Sequence, residues 1–234
     1  MKVRDSVVLI SGANRGLGRT WGRLLLEAGA RKVYAGARDP RSIDLPDVIP
    51  LELDITDPEQ VRRAAAECGD VTLLVNNAGI VRGGHVFDDE AVDRARQELD
   101  TNLFGTLAMC RAFAPILVAN GGGAIVNVLS VLSWISIPGG ATYAMSKPAT
   151  WSMTNGVRIA LRPQGTQVVG LHVAFMDTDM TSGIDAPKAS PQDVVAQAIA
   201  ALEAGQEEVL ADALTREVKH GLSLERGVYL VAAG

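Results

Sequence analysis

Cysteine is scarce in this chain of 234 residues, which holds only Cys68 and Cys110, each inside a helix-like stretch. Two such residues make neither a disulfide framework nor a metal-ligand pattern, so both are expected reduced in the core and no metal site is expected. An excess of basic charge is also missing: 22 Lys and Arg against 27 Asp and Glu leave a net charge of −5. With no basic run either, nucleic acid and anionic membrane surfaces are not expected as partners. No apolar run reaches the ~20 residues of a membrane span. Lys2, Arg4 and Asp5 precede only a short apolar stretch, unlike a signal peptide. A cytoplasmic protein is the expectation. Its hydrophobic content of 47% and charged content of 21% are ordinary for a soluble globular enzyme, and the length fits one α/β domain.

What is present begins with Val7–Ile10, an apolar β-branched run suited to a strand buried on both faces. Ser11-Gly12-Ala13-Asn14-Arg15-Gly16-Leu17-Gly18 follows, then a helical stretch to about Glu27 that Gly29 ends. Strand, glycine-rich turn and helix in that order let backbone approach a pyrophosphate and offer it helix N-terminal amides. Further strands are expected at Lys32–Ala35, Val48–Leu53, Thr72–Val75, Ala124–Val128, Thr166–Val173 and Glu208–Ala211. One long helix is expected from about Asp88 to Asn120, with Val92, Leu99, Leu103, Leu107, Cys110, Ala114 and Leu117 inward and Asp93, Arg94, Arg96 and Glu98 as its charged stripe. Later helices are expected over Pro191–Ala204 and within Asp212–Leu224, before an apolar end at Tyr229–Ala233.

Tyr143 and Lys147 lie four apart, one helical turn, and so face the same way. An ammonium beside a phenol favours the phenolate, drawing a group that titrates near ~10 toward working pH, as a general acid/base requires. The spacing alone is common in helices. The rest of the sequence gives it weight.

Gly12-x-x-x-Gly16-x-Gly18, Asn76-Asn77-Ala78-Gly79, Ser130 and Tyr143-x-x-x-Lys147 together resemble the short-chain dehydrogenase/reductase family over nearly the whole chain. The resemblance implies a doubly wound parallel sheet of Rossmann type, a three-layer α/β sandwich in a single domain. Its cofactor half would cover about 1–120 and its catalytic and substrate half about 121–234. The implied catalytic residues are Asn102, Ser130, Tyr143 and Lys147. Asn102 would hold a water below the lysine, Ser130 would bond the substrate oxygen, and Lys147 would also bind the nicotinamide ribose. The implied cofactor contacts are Ser11, Gly12, Asn14, Arg15, Gly16, Leu17, Gly18, Arg38, Asp54, Asn77, Ala78, Gly79 and Thr178, with Tyr143 and Lys147. Such a family member commonly pairs through the long helix, so a homodimer or homotetramer is expected.

The residues leave some choices open. An NAD enzyme of this kind carries a carboxylate at the tip of the second strand; here Ala37 falls there, with Arg38 next. Arg15 and Arg38 suit a 2′-phosphate, so NADP is preferred, while Asp39 would favour NAD if it reached the strand tip. Ser133 competes with Ser130, and Asp54 competes with a plain helix-capping role that Thr56 or Asp57 would fill better. Asn127 matches a structural strand asparagine. His85, alone in a glycine-rich loop, reads more readily as a surface residue than as a pocket residue.

The chain departs from the family where Leu129 precedes Ser130, where Pro148 follows Lys147, and where Val173-Ala174 replaces Pro-Gly. A proline inside a helix removes an N–H and crowds the turn before it, at up to ~3 kcal/mol. Trp134, Trp151, Phe175, Met176 and Met180 would line an apolar pocket, with 181–190 as a lid. The expectation is an NADP-dependent oxidoreductase acting on a small or medium apolar ketone or aldehyde and the matching alcohol. The alternatives are an NADP-binding redox-sensing regulator without turnover and a nucleotide-sugar epimerase or dehydratase. The last would normally need a larger C-terminal domain.

Overall fold

Val7–Ser11 forms strand β1, every residue buried, as a central strand of a parallel sheet must be. The computed structural model describes residues 1–230; residues 231–234, with most of the expected apolar end, lie outside the described residues. Six more strands follow: β2 (Lys32–Ala37), β3 (Ile49–Glu52), β4 (Leu73–Asn76), β5 (Ala124–Val128), β6 (Gln167–His172) and β7 (Glu208–Leu210). Their spatial order is β3-β2-β1-β4-β5-β6-β7, with every pairing parallel. The order reverses between β1 and β4, which opens a crevice at the carboxyl ends of those strands.

Alternate side chains build the two halves of the core. Val8, Ile10, Val33 and Val75 meet helices α1 (Gly16–Glu27) and α6 (Pro191–Glu203) on one face. Val7, Leu9, Leu74 and Ile125 meet α2 (Pro58–Glu67), α4 (Thr106–Ala119) and α5 (Ala141–Leu161) on the other. Trp21 and Phe113, one in each layer, are fully buried, and each contributes roughly 1.5–3 kcal/mol. The three-layer α/β sandwich expected from the sequence is therefore present.

The long helix differs from expectation in its middle. It consists of α3 (Ala91–Leu99), a π-helical turn over Asp100–Gly105, and α4. A π turn inserts about one extra residue and rotates everything after it relative to what came before. The inward set is accordingly Ala91, Glu98, Asn102, Met109, Cys110, Phe113 and Leu117, while Val92 is exposed. Glu98, read in the sequence as part of a solvated stripe, is fully buried. By length and composition the continuous helix Ala91–Ala119 would suffice to cross a bilayer, contrary to the sequence expectation. Here it lies on the sheet with Met109, Phe113 and Leu117 fully buried.

Pro148 sits inside α5, which runs on through it. Hydroxyls strap that part of the helix: Ser146 Oγ donates to the Tyr143 carbonyl at 2.8 Å, and Thr150 Oγ1 to those of Ser146 at 2.8 Å and Asn102 at 3.0 Å. These side-chain bonds supply local donors in a turn that lacks an N–H. A last helix, α7 (Ala213–Gly221), is capped by Asp212, whose carboxylate also accepts the Ala174 amide at 2.8 Å. That bond fixes the segment where Val173-Ala174 stands in place of Pro-Gly.

Candidate active site

The turn after β1 is shaped by glycine. Gly12 and Gly16 have φ of 67° and 51°, and a Cβ at Gly12 would come within 3.0 Å of Ala78. Helix α1 begins at Gly16 with no side chain capping it and no acidic residue in its first turn. Its N-terminal amides and positive dipole end therefore suit an anion. Asn77 Nδ2 ties the turn to β4 by donating to the carbonyls of Ser11 at 3.1 Å and Gly12 at 2.9 Å.

A cavity of about 1120 Å³ starts at this turn and runs to the end of β5. It is lined by Gly12, Asn14, Arg15, Gly16, Leu17 and Gly18 on one side. Arg38, Asp54, Asn77, Ala78, Gly79 and Thr178 continue the wall to Ser130, Tyr143 and Lys147. Uncapped amides, glycine surfaces and two guanidiniums along one groove fit a dinucleotide. Ser11 is the exception among the expected cofactor contacts. It is buried, and its Oγ accepts the amides of Asn77 and Ala78, both at 3.1 Å. It shapes the wall from behind and does not line the cavity.

The sequence left three choices that the geometry now separates. Ser130 lines the cavity, whereas Ser133 is buried away from it. Asp57 caps α2, and Asp54 lines the cavity while its Oδ1 accepts Thr56 N at 2.9 Å. Asp39 lies two residues beyond the end of β2 and lines the cavity. Its carboxylate accepts the Arg41 amide at 3.0 Å and the Arg41 guanidinium at 2.9 Å, while Ala37 ends β2.

Ser130 is extended, held against β6 by bonds on either side: Leu129 N to Leu171 O at 2.7 Å, and Val131 N to Val173 O at 3.0 Å. Its Oγ accepts Leu132 N at 3.1 Å. Tyr143 and Lys147 occupy the first two turns of α5, with Lys147 Nζ 5.4 Å from the phenol ring centre. Nζ donates to the Val128 carbonyl at 3.0 Å, and burial lowers the ammonium to about 8.

One expectation needs correction. The phenol of Tyr143 lies above its ordinary value, not below it: burial raises it, the charge of Glu98 raises it further, and the Ser130 hydroxyl offsets part. Enclosure of the ring is the largest cause, and it favours the protonated phenol, ready to act as an acid. Asn102 does not line the cavity. Its Oδ1 accepts Ile80 N at 2.9 Å, and its Nδ2 donates to Ile80 O and to Ser146 Oγ, both at 3.0 Å. Its side chain positions the loop after β4 and the helix of Tyr143.

Strand, turn, crevice and tyrosine–lysine pair thus stand in one groove, and residues 6–189 match the family described as short chain dehydrogenase. The chain belongs to that family. A solved short chain dehydrogenase from Burkholderia cenocepacia J2315, in complex with NADP, is similar over 97% of this chain and 96% of that one, with 42% identity and a TM-score of 0.92. Trans-4-hydroxycyclohexanecarboxylate dehydrogenase of Sinomonas cyclohexanicum is 31% identical over 78% of this chain and 77% of its own length. Dehydrogenase/reductase SDR family member 7B of Xenopus tropicalis is 32% identical over 76% of this chain. The match spans 63% of that relative's length.

Within this short chain dehydrogenase the sequence reading missed Arg82 and Phe104, which line the cavity, and the buried Glu98. Glu98 stands one helical turn before Asn102, and that spacing was the available signal. Of the five residues expected to line an apolar pocket, Met176 and Met180 do; Trp134, Trp151 and Phe175 do not. Trp134 packs edge-on to Trp151 at 6.0 Å, and Lys219 Nζ lies over both rings, at 4.9 and 5.7 Å. Asn127 proves structural, donating to Thr154 Oγ1 at 2.9 Å and accepting from Asn76 Nδ2 at 2.8 Å. Among the described residues, no cluster of His, Cys, Asp and Glu could hold a metal ion.

Proposed function

We propose that this oxidoreductase uses NADP and interconverts a small or medium apolar ketone or aldehyde with its alcohol. The observation that carries the reading is the single groove joining the glycine turn to Ser130, Tyr143 and Lys147. When bound, the nicotinamide supplies the hydride in reduction or accepts it in oxidation. Proton chemistry falls to the chain. Tyr143 Oη gives its proton to the carbonyl oxygen in reduction and takes it back from the alcohol in oxidation. Ser130 Oγ donates a hydrogen bond to the same oxygen and stabilises the charge developing there. Lys147 is held in place by the Val128 carbonyl, from which it can meet ribose hydroxyls. Ile80, Phe104, Met176 and Met180 favour an apolar substrate.

Preference for NADP is supported by Arg38 on the cavity wall, by Asp39 being engaged with Arg41, and by the NADP in the Burkholderia cenocepacia relative. Assembly as a homodimer or homotetramer is part of the proposal, supported by exposed Val92, Phe104 and Val118 along the helices from α3 to α4. So is a cytoplasmic location, supported by two free, buried cysteines.

The test follows nicotinamide absorbance over a panel of ketones, aldehydes and alcohols that includes trans-4-hydroxycyclohexanecarboxylate. Tyr143→Phe is expected to abolish turnover and leave cofactor binding nearly intact. A fully active phenylalanine protein would end the assignment. Tight cofactor binding with no turnover across the panel would favour the regulator instead.

A further inference from the structure

Glu98 is a carboxylate in a place where carboxylates are rarely left. It is fully buried, and its Oε1 accepts two backbone amides, Arg82 N at 2.6 Å and Gly83 N at 3.1 Å. Its Oε2 is buried with no hydrogen-bond partner. Burying a charge is costly unless its surroundings need it, so the residue calls for an explanation.

The loop it holds leads directly to the catalytic tyrosine. Gly83 O accepts Thr142 Oγ1 at 2.9 Å, Gly84 N donates to Gly139 O at 2.6 Å, and Ala141 N donates to Gly84 O at 3.1 Å. Both loop glycines have positive φ, 67° and 114°, and a Cβ on Gly83 would come within 2.7 Å of Gly139 O. Only glycine permits this approach. One turn further along the helix, Asn102 grips the same loop at Ile80. Glu98 and Asn102 thus clasp the segment 80–84 from one side, and the first turn of α5 clasps it from the other.

We propose that Glu98 is a positioning residue for the Tyr143 acid: it fastens the Arg82–Gly84 loop to the first turn of α5 and sets a negative charge behind the phenol. This rests on the proposed oxidoreductase function. Glu98 does not line the cavity, so it acts through the tyrosine and not on a substrate. The charged groups beside the loop and the phenol are Asp88 and Arg94 next to Gly84, Arg82 within the loop, and Lys147 by the phenol ring. Arg94 is committed to Asp88 and Glu90, the Arg82 guanidinium to Gln97, and Lys147 to Val128. The Lys147 ammonium, 5.4 Å from the phenol ring centre and bonded only to a neutral carbonyl, opposes the carboxylate there. A negative charge disfavours phenolate, in keeping with its part in raising Tyr143.

The experiment compares Glu98→Gln with Thr142→Val. Glutamine can still accept both amides but carries no charge, whereas valine cuts the tether to Gly83 and leaves the charge. In Glu98→Gln the tyrosine limb of the kcat/KM profile is expected to move to lower pH by about half a unit or more. In Thr142→Val, kcat is expected to fall about tenfold with the limb unmoved. An unmoved limb in Glu98→Gln, or an equal displacement in Thr142→Val, overturns the proposal. Glu98→Asp keeps the charge and is expected to keep the wild-type limb, which separates charge from a folding defect. If the wild type turns over nothing in the panel, the oxidoreductase reading fails by itself. The present proposal is then decided by ultraviolet tyrosinate titration of the NADP complex, with Tyr143→Phe as baseline. There Glu98→Gln must ionise Tyr143 at lower pH than wild type.

Discussion

The imidazole of His172 lies flat on Trp134, ring centres 4.2 Å apart and planes 18° from parallel. Its Nδ1 is 3.3 Å from the carbonyl oxygen of Ser130, and its Nε2 is 3.7 Å from Glu208 Oε1, which Lys219 holds at 2.8 Å. The last strand of the sheet, the last helix and the two tryptophans thus meet directly behind Ser130.

That arrangement makes stability depend on pH. Burial lowers His172 from its ordinary 6.5 to about 4, against the opposing pull of the Ser130 carbonyl and Glu208. Between those values the unfolded chain binds a proton that the folded chain refuses. Stability is therefore full above about 6.5 and falls as pH drops toward 4, by up to about 3 kcal/mol. His172→Phe keeps a flat ring against Trp134 but does not titrate. Denaturant unfolding at several pH values is expected to show most of this loss in wild type and little of it in the variant. Identical slopes in the two proteins would mean that His172 is not the group concerned.

The proposed preference for NADP turns on the tip of β2. The sequence could not decide whether Asp39 reaches that tip, because the answer depends on where its carboxylate turns. In the structure Asp39 lines the cavity beside Arg38, but its carboxylate caps the turn over Pro40–Ser42 and pairs with Arg41. Arg38→Asp is expected to weaken NADPH binding about ten- to a hundredfold, the worth of a charge-assisted phosphate contact, and NADH binding much less. Fluorescence titration with both reduced cofactors measures this. Equal weakening would show that Arg38 meets no 2′-phosphate.

The features that were legible in the sequence are those written in consecutive residues. The strand expected at Val7–Ile10, one residue short of the observed Val7–Ser11, and the glycine turn after it were legible because strand burial and turn glycines are local demands. Ser130 was separable from Ser133 only by spacing, and in the structure Ser130 is the one that lines the cavity. What stayed hidden depends on rotation or on distance along the chain. One π turn at Asp100–Gly105 shifted the phase of the long helix, so Glu98 looked solvated and Val92 looked buried. Asn102 carried the right name, yet its partners Ile80 and Ser146 lie 22 and 44 residues away. Trp134 and Trp151 looked like pocket walls because nothing local announced His172 and Lys219 as their neighbours.

Lys147 gives the sharpest contrast between function and stability. Burial lowers its ammonium from 10.5 to about 8, and a single backbone carbonyl, that of Val128, is its hydrogen-bond partner within the protein. A cation depressed in the folded state penalises folding wherever the unfolded chain would be protonated. The penalty is absent above about 10.5, grows as pH falls through 8, and is complete at neutral pH, at about 3 kcal/mol. Lys147→Met fills similar space without charge and gives up one hydrogen bond worth ~0.5–1.5 kcal/mol. At pH 7 the methionine protein is therefore expected to be more stable than wild type by about 1.5–2.5 kcal/mol, while losing turnover. Near pH 10.5 the gain should vanish, leaving only the lost hydrogen bond. Denaturant midpoints at the two pH values check both halves. A methionine protein less stable at pH 7 would mean that the ammonium is better solvated inside the groove than its burial implies.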